Sequence, residues 1–152
     1  MKSLPRWAII ALLFGILGFV LVSVGHFAKK SFVFAEGSIQ ILPDLEDKAK
    51  NIRVLFITIF DADSPMPMPY GAQKVHISKN AAGQFYSFVL TKENIMIMNP
   101  QLPLPKKIRI KARLDLDGTA GMDKPGDLTG EVGPIDVGST AAQITIKNLV
   151  GE

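Results

Sequence analysis

The stretch Ile108-Arg-Ile-Lys-Ala-Arg-Leu-Asp-Leu116 decides the fold. Its apolar positions are predicted to face one way, and they are Ile108, Ile110, Ala112, Leu114 and Leu116. Its charged positions are predicted to face the other way, and they are Arg109, Lys111, Arg113 and Asp115. This period of two is typical of an antiparallel strand with one face in a core and a wet outer face.

Other segments repeat the strand signal along the chain. Arg53 to Phe60 is almost continuously apolar and rich in β-branched and aromatic residues, which indicates a strand covered on both faces. Further strands are predicted over Gly37–Leu42, Lys74–Ser78, Gln84–Thr91, within Leu128–Gly138 (a short edge strand) and over Gln143–Leu149. With about seven short strands and little helix, the sequence predicts an all-β fold class and a β-sandwich architecture.

The segments between the strands are rich in proline, glycine and asparagine. Pro43 to Lys50 is predicted to form one helical turn, and Asn94–Met98 a strand end or a turn. Loops and turns are predicted over Asp61–Gly71, Asn80–Gly83, Asn99–Pro105 and Asp117–Asp127.

An uncharged apolar run from Trp7 to Gly25 precedes these strands. A helix of that length covers roughly 28 Å, close to the thickness of a bilayer's hydrocarbon core. We therefore predict one transmembrane anchor at 7–25, a cytoplasmic tail at 1–6, a tether at 26–36 and an external domain at 37–150. The alternative is a cleaved signal peptide, with small-residue sites at Ser23-Val24-Gly25 or Val33-Phe34-Ala35.

Composition and motifs exclude several classes of function for the domain. The chain has 17 Lys and Arg and 14 Asp and Glu, but four of the cations (Lys2, Arg6, Lys29 and Lys30) lie before residue 31, which leaves 13 against 14. This balance does not predict nucleic-acid binding. The absence of cysteine excludes disulfides and thiol chemistry. The sequence also lacks a nucleophile elbow, a P-loop and a zinc-protease motif, so we predict that the protein is not an enzyme and needs no cofactor.

Methionines are the most distinctive candidate binding residues. Met66, Met68, Met96 and Met98 are predicted to line an adaptable apolar groove for a partner segment, because thioether side chains repack readily. The alternative is a Cu(I) site, since thioethers and imidazole are soft ligands. Its predicted ligands are Met66, Met68, Met122 and His76.

Two clusters of charged residues are most simply interpreted as solvent-exposed surface. Asp115, Asp117, Asp123 and Asp127 surround glycines but fail the EF-hand spacing, so a solvated turn is the favoured interpretation over a calcium site. Arg109, Lys111 and Arg113 are predicted to form the solvent face of a strand, and they are candidate electrostatic contacts for an acidic partner segment or a lipid surface.

Seven segments in order resemble one family: Gly37-Ser-Ile-Gln-Ile-Leu-Pro-Asp-Leu45, Val54-Leu-Phe-Ile57, Ser64-Pro-Met-Pro-Met-Pro69, Asn94-Ile-Met-Ile-Met-Asn-Pro100, Ile110-Lys-Ala-Arg-Leu114, Pro125-Gly-Asp-Leu-Thr-Gly130 and Ile135-Asp-Val-Gly138. Together they are similar to the C-terminal periplasmic domain of the cytochrome c-type biogenesis protein CycH, also called CcmI. The resemblance covers about residues 37–150.

The resemblance implies an Ig-like β-sandwich outside the bacterial inner membrane. It also implies a role in capturing apocytochrome c, largely through the C-terminal helix of that apocytochrome, beside the heme-lyase and thioreduction components. The sequence departs from the full-length pattern, with one predicted span rather than two and no helical repeats between span and domain. The expected partners are therefore apocytochrome c, heme-lyase complex subunits, or both, and a structural Ig-like module of another envelope complex is the remaining alternative.

Overall fold

The computed structural model describes residues 31–65 and 68–151, which contain seven long β-strands and two short ones. The long strands are β1 (Val33–Ile41), β2 (Val54–Asp61), β3 (Pro69–His76), β4 (Gln84–Thr91), β6 (Lys107–Asp115), β7 (Leu128–Asp136) and β8 (Ser139–Ile146). The short strands are β5 (Met96–Ile97) and β9 (Asn148–Leu149). Between β1 and β2, a 3-10 turn over Pro43–Leu45 and an α-helical turn over Glu46–Ala49 confirm the predicted helical turn.

The strands form two sheets that enclose one core. The first has the order β4-β1-β8, and the second has the order β5-β3-β2-β6-β7-β9. All neighbouring strands are antiparallel except β1 and β8, which are parallel. The chain passes from the second sheet to the first between β7 and β8, through the short connection at Val137 and Gly138. This arrangement is a β-sandwich.

Alternation along the strands places the core as predicted. Ile108, Ile110, Ala112 and Leu114 of β6 are fully buried, as are Leu55, Ile57 and Ile59 of β2. Phe34, Ile39 and Ile144 of the smaller sheet belong to the same hydrophobic cluster. Phe56, on the opposite face of β2, is also buried, whereas Thr58 and Phe60 on that face are half-buried, so the outer face of this strand is covered only in part.

The outer face of β6 differs from the prediction. Arg113 and Asp115 were expected in water, but both are buried. Leu116 was expected in the core, but it follows the last residue of β6 and is exposed. The physical reason is that the chain leaves the sheet after Asp115 and folds back, so that Arg113 donates hydrogen bonds to the carbonyls of Thr119 and Gly121.

Several element boundaries also differ from the prediction, among them that of β8, which begins at Ser139 rather than at Gln143. β1 begins at Val33, so Val33 to Glu36 belong to the sandwich rather than to a tether. β3 begins at Pro69, inside the predicted loop. β7 is a nine-residue strand between β6 and β9 rather than a short edge strand.

No helix within residues 31–65 and 68–151 has the length and apolar character needed to cross a membrane. The predicted anchor at 7–25 lies outside the described residues.

Candidate functional site

A groove of about 930 Å³ lies on the outer face of the six-stranded sheet. Its floor is built by β2, where Phe56, Thr58 and Phe60 alternate with the core residues Leu55, Ile57 and Ile59. Because strand side chains alternate between faces, the same strand that fills the core also supplies an aromatic floor on the opposite side. An open cavity of this size suits a peptide segment or a small ligand.

Neighbouring strands add charged side chains to this floor in register. Phe56 lies opposite Lys74 of β3 on one side and Arg113 of β6 on the other. The Lys74 ammonium is 5.6 Å from the centre of the Phe56 ring, and the Arg113 guanidinium is 5.1 Å from it. Cations held over an aromatic ring are attracted by its negative face, so both hold Phe56 in place.

Flexible methionines form the rims of the groove. Met96 and Met98 stand on the side where β5 pairs with β3, and they are 72% and 51% exposed. Met122 stands on the opposite side and is 89% exposed. Unbranched thioether side chains adapt to the shape of an apolar partner, so the exposed rims are suited to binding one.

Residues 116–127, here called the acidic loop, form the second wall of the groove, and Arg113 organises this loop. The Arg113 Nη2 atom lies 2.8 Å from Asp115 Oδ2, and Nη1 lies 3.4 Å from Asp123 Oδ1. Nη1 also donates to the carbonyl of Gly121 at 2.7 Å. The Arg113 side chain is only 7% exposed, so its charge is compensated inside the protein.

The carboxylates of this region hold the loop by its backbone. Asp127 accepts hydrogen bonds from the N–H groups of Leu116 and Lys124, at 3.1 and 2.9 Å. Asp115 accepts the N–H of Thr119 at 3.0 Å. Both carboxylates are buried, so the prediction of a solvated turn is wrong for Asp115 and Asp127, whereas Asp117 and Asp123 are exposed as predicted. Buried carboxylates of this kind stabilise a loop because each is both hydrogen-bonded and paired.

Two lysines connect the acidic loop to the sheet. The Lys111 ammonium binds Asp123, and the Lys74 ammonium donates to the carbonyl of Gly118 at 2.7 Å. Among the ion pairs of residues 31–65 and 68–151, none joins Lys74 to a carboxylate. Lys74 therefore presents a positive charge beside the aromatic floor.

An exposed ion pair at the outside of the loop gives a pH-dependent contact. The hydrogen bond from Lys124 to Asp117 lowers the pKa of Asp117 from 3.8 to about 2, with the Thr119 N–H as the next cause. The same hydrogen bond raises the pKa of Lys124. Because the pKa of Asp117 is lower in the folded chain, this contact contributes stability above about pH 3.8 and loses it as the pH falls toward 2.

We expect Lys124→Met to raise the pKa of Asp117 toward 3.8, because the substitution removes the Lys124 hydrogen bond, which is the largest cause of the lowered pKa. The value should stay somewhat below 3.8, since the Thr119 N–H still donates to this carboxylate at 2.8 Å. An NMR titration of the aspartate carboxyl carbons measures the shift, with Lys79→Met as the control. An unchanged Asp117 pKa in the Lys124→Met variant would show that the ion pair does not cause the shift.

The structure brings together some of the predicted site residues. Met96, Met98, Lys111, Arg113 and Met122 all line the groove. Met68 is exposed but is not among the residues that line it. Arg109 lies over the Phe60 ring at 5.7 Å and pairs with Glu131. Met66 lies outside the described residues.

The predicted copper ligands are not gathered at one cavity. Met122 lines the groove, whereas His76 lines a separate depression with the turn at Ser78–Asn80 and the start of β4. Met68 lines neither of the two.

Sequence reasoning missed the floor of the groove and Lys74. The signal for the floor was present, because Phe56, Thr58 and Phe60 are every second residue of a strand predicted to be covered on both faces. The sequence gives no sign that the outer cover is incomplete. Lys74 has no sequence signal, because its position beside Phe56 depends on the pairing of β2 with β3.

Comparison with known proteins gives one match. The family model of the cytochrome c-type biogenesis protein H Ig-like domain matches residues 36–147. The matched range begins within β1 and ends one residue after β8, so it includes the groove and the acidic loop. No curated protein and no solved structure matches the chain.

Proposed function

The chain belongs to the family of the cytochrome c-type biogenesis protein H Ig-like domain, and from this membership we propose that it is an assembly factor that binds a partner protein in its groove. The partner is apocytochrome c or a subunit of the heme-ligation machinery. The domain is held in the periplasm, at the bacterial inner membrane, by the anchor predicted at residues 7–25. It binds its partner without transforming it chemically.

The observation that carries this proposal is the aromatic floor with its methionine rims. Three exposed methionines face a floor that includes Phe56 and Phe60. Burying such apolar surface contributes about 25 cal/mol per Å², before the cost of ordering the partner. An amphipathic segment that lays its apolar face into a groove is an established mode of peptide recognition. The groove is therefore suited to an apolar face of a partner segment.

Charges beside the floor give the partner segment a direction. Lys74 offers an ammonium group without a paired carboxylate among the ion pairs described above, and Lys111 lies at the opposite wall with Asp123. A carboxylate on the polar side of the segment would therefore be attracted to the Lys74 side. Charged groups at the edge of an interface mainly govern register and association rate. Tethering to the membrane also raises the effective concentration of partners in the same membrane.

Purified heme-free apocytochrome c provides a direct test. We expect the double variant Met96→Ser, Met98→Ser to bind it about tenfold to thirtyfold more weakly than the original chain, because losing two buried methionine contacts removes on the order of 2 kcal/mol. Isothermal titration calorimetry measures the dissociation constant, and a subunit of the heme lyase is titrated in the same way.

Met68→Ser is the matched control, since this methionine is equally exposed but does not line the groove. Its affinity for the partner should stay unchanged. If neither partner binds, or if Met68→Ser weakens binding as much as the double variant, the groove is not the binding site.

A further inference from the structure

We propose that one end of the sandwich rests on the lipid surface of the membrane. It is the end at which β1 begins, here called the proximal end. Its exposed apolar residues outside the groove are Phe32, Met68, Leu102 and Leu104. The inference rests on the anchor proposed above and goes beyond partner binding, because it assigns a second surface and a different ligand.

Strand directions place these residues at the same end. β1 and β8 start there, whereas their antiparallel neighbour β4 ends there. In the larger sheet, β3 and β6 start at this end and β2 ends at it. The connection from β7 to β8 ties the two sheets together at this end, because the Val137 N–H donates to the Lys106 carbonyl at 3.1 Å and the Gly138 N–H donates to the Phe34 carbonyl at 2.8 Å.

Exposed apolar side chains are unevenly distributed between the two ends. Apart from Met122, which lines the groove, the large exposed apolar residues described at the opposite end are Leu42 and Leu116. Scattered exposed leucines are normal on a protein surface, but a cluster at one end marks an interaction site. The exposed apolar side chains of the proximal end form such a cluster.

The segment 99–105 carries the two leucines of this cluster, and few of its backbone N–H groups lack a hydrogen-bond partner. Leu102 and Leu104 are each 48% exposed, and no charged residue occurs from Asn94 to Pro105. The prolines on either side of the leucines have no N–H group. The N–H groups of Gln101 and Leu102 donate to the side chain and the carbonyl of Asn99. Backbone donors without a partner are costly at a lipid interface, and this segment has few of them.

The short distance along the chain between the predicted anchor and the start of the domain favours lipid, rather than a protein, as the partner of the proximal end. Six residue steps separate Gly25, the end of the predicted anchor, from Ser31, and at ~3.6 Å per residue they span at most about 22 Å. The proximal end therefore stays within that distance of the bilayer when residues 7–25 cross it. Lys106 and Lys107 follow the leucines after Pro105, so one end of the apolar segment is cationic, as is typical of interfacial segments.

The absence of cysteine allows a direct test on the full chain. Leu104→Cys carries an environment-sensitive fluorophore, and the protein is reconstituted into vesicles of phosphatidylethanolamine and phosphatidylglycerol. Lys79→Cys, at the opposite end beyond β3, carries the same label as the control. We expect the label at 104 to emit at shorter wavelength and to be quenched by lipid with a nitroxide near the headgroup. The label at 79 should show neither effect, and adding Leu102→Ser should reduce the quenching at 104.

Flotation of the same samples separates the two ways of failing. If the chain floats with the vesicles but the label at 104 is not quenched, the lipid contact is wrong and the anchor stands. If the emission shifts without quenching by the labelled lipid, the proximal end is covered by protein, and the lipid contact is again wrong. A chain that does not float with the vesicles overturns both the lipid contact and the proposed anchor.

Discussion

Arg113→Met is expected to lower the free energy of unfolding by about 3–5 kcal/mol, since removing one partner of a buried ion pair leaves uncompensated charge in the interior. The charges left behind are Asp115 and Asp127, both buried, with carboxylates 2.8 and 3.8 Å from the guanidinium. The acidic loop would also lose the hydrogen bonds that Arg113 donates to Gly121 and Thr119. Chemical denaturation of the chain in detergent, followed by circular dichroism, measures the change.

Arg109→Met is a matched control for this experiment. Arg109 lies on the same strand and the same face, its guanidinium also lies over a phenylalanine of β2, and it also pairs with a carboxylate. Its side chain is 34% exposed, against 7% for Arg113. An exposed pair contributes about 0–1 kcal/mol, so Arg109→Met should cost no more than about 1 kcal/mol.

A double variant tests whether charge is the cause. Adding Asp127→Asn to Arg113→Met removes one uncompensated carboxylate, so part of the lost stability should return. If Arg113→Met and Arg109→Met cost the same, or if the second substitution only adds to the loss, the buried charge network does not hold the acidic loop in place.

Gly130→Ala is expected to destabilise the fold by about 3 kcal/mol, at the upper end of the range for overpacked cores. A Cβ at residue 130 would lie 2.1 Å from the carbonyl oxygen of Thr145 and 2.9 Å from the Cα of Ile146. Both contacts are with backbone, which cannot rotate away as a side chain can. They join β7 of the larger sheet to β8 of the smaller one, so relief of the clash requires the two sheets to separate.

The control for Gly130→Ala is a glycine in open space. Gly83 has a φ of +51°, and no atom lies within 4 Å of the Cβ position. Asparagine adopts this left-handed conformation more readily than most residues, so Gly83→Asn should change the free energy of unfolding by less than about 1 kcal/mol. Thermal denaturation of both variants makes the comparison. Equal losses would mean that the close approach of β7 to β8 is not what excludes a side chain at 130.

Part of the candidate site was predictable from residue type alone. Met96, Met98 and Lys111 were expected to serve a partner, and they do line one groove. The ground for that prediction was the adaptability of thioether side chains, which repack readily against an apolar partner. The groove itself was not predictable, because its lining runs from Phe56 to Asp123 and meets only through strand pairing and the folding back of the acidic loop.

The sequence by itself determined which segments are strands and which of their faces are apolar. Period-two alternation in Ile108–Leu114 is a local property, because neighbouring side chains of a strand must point to opposite faces whatever the partner strands are. Only the tertiary structure decided what covers each outer face. Arg109 and Arg113 are equivalent in the alternation, yet one is partly exposed and the other is buried under the acidic loop. That difference comes from contacts between segments distant in sequence, which the spacing of residues along one strand does not encode.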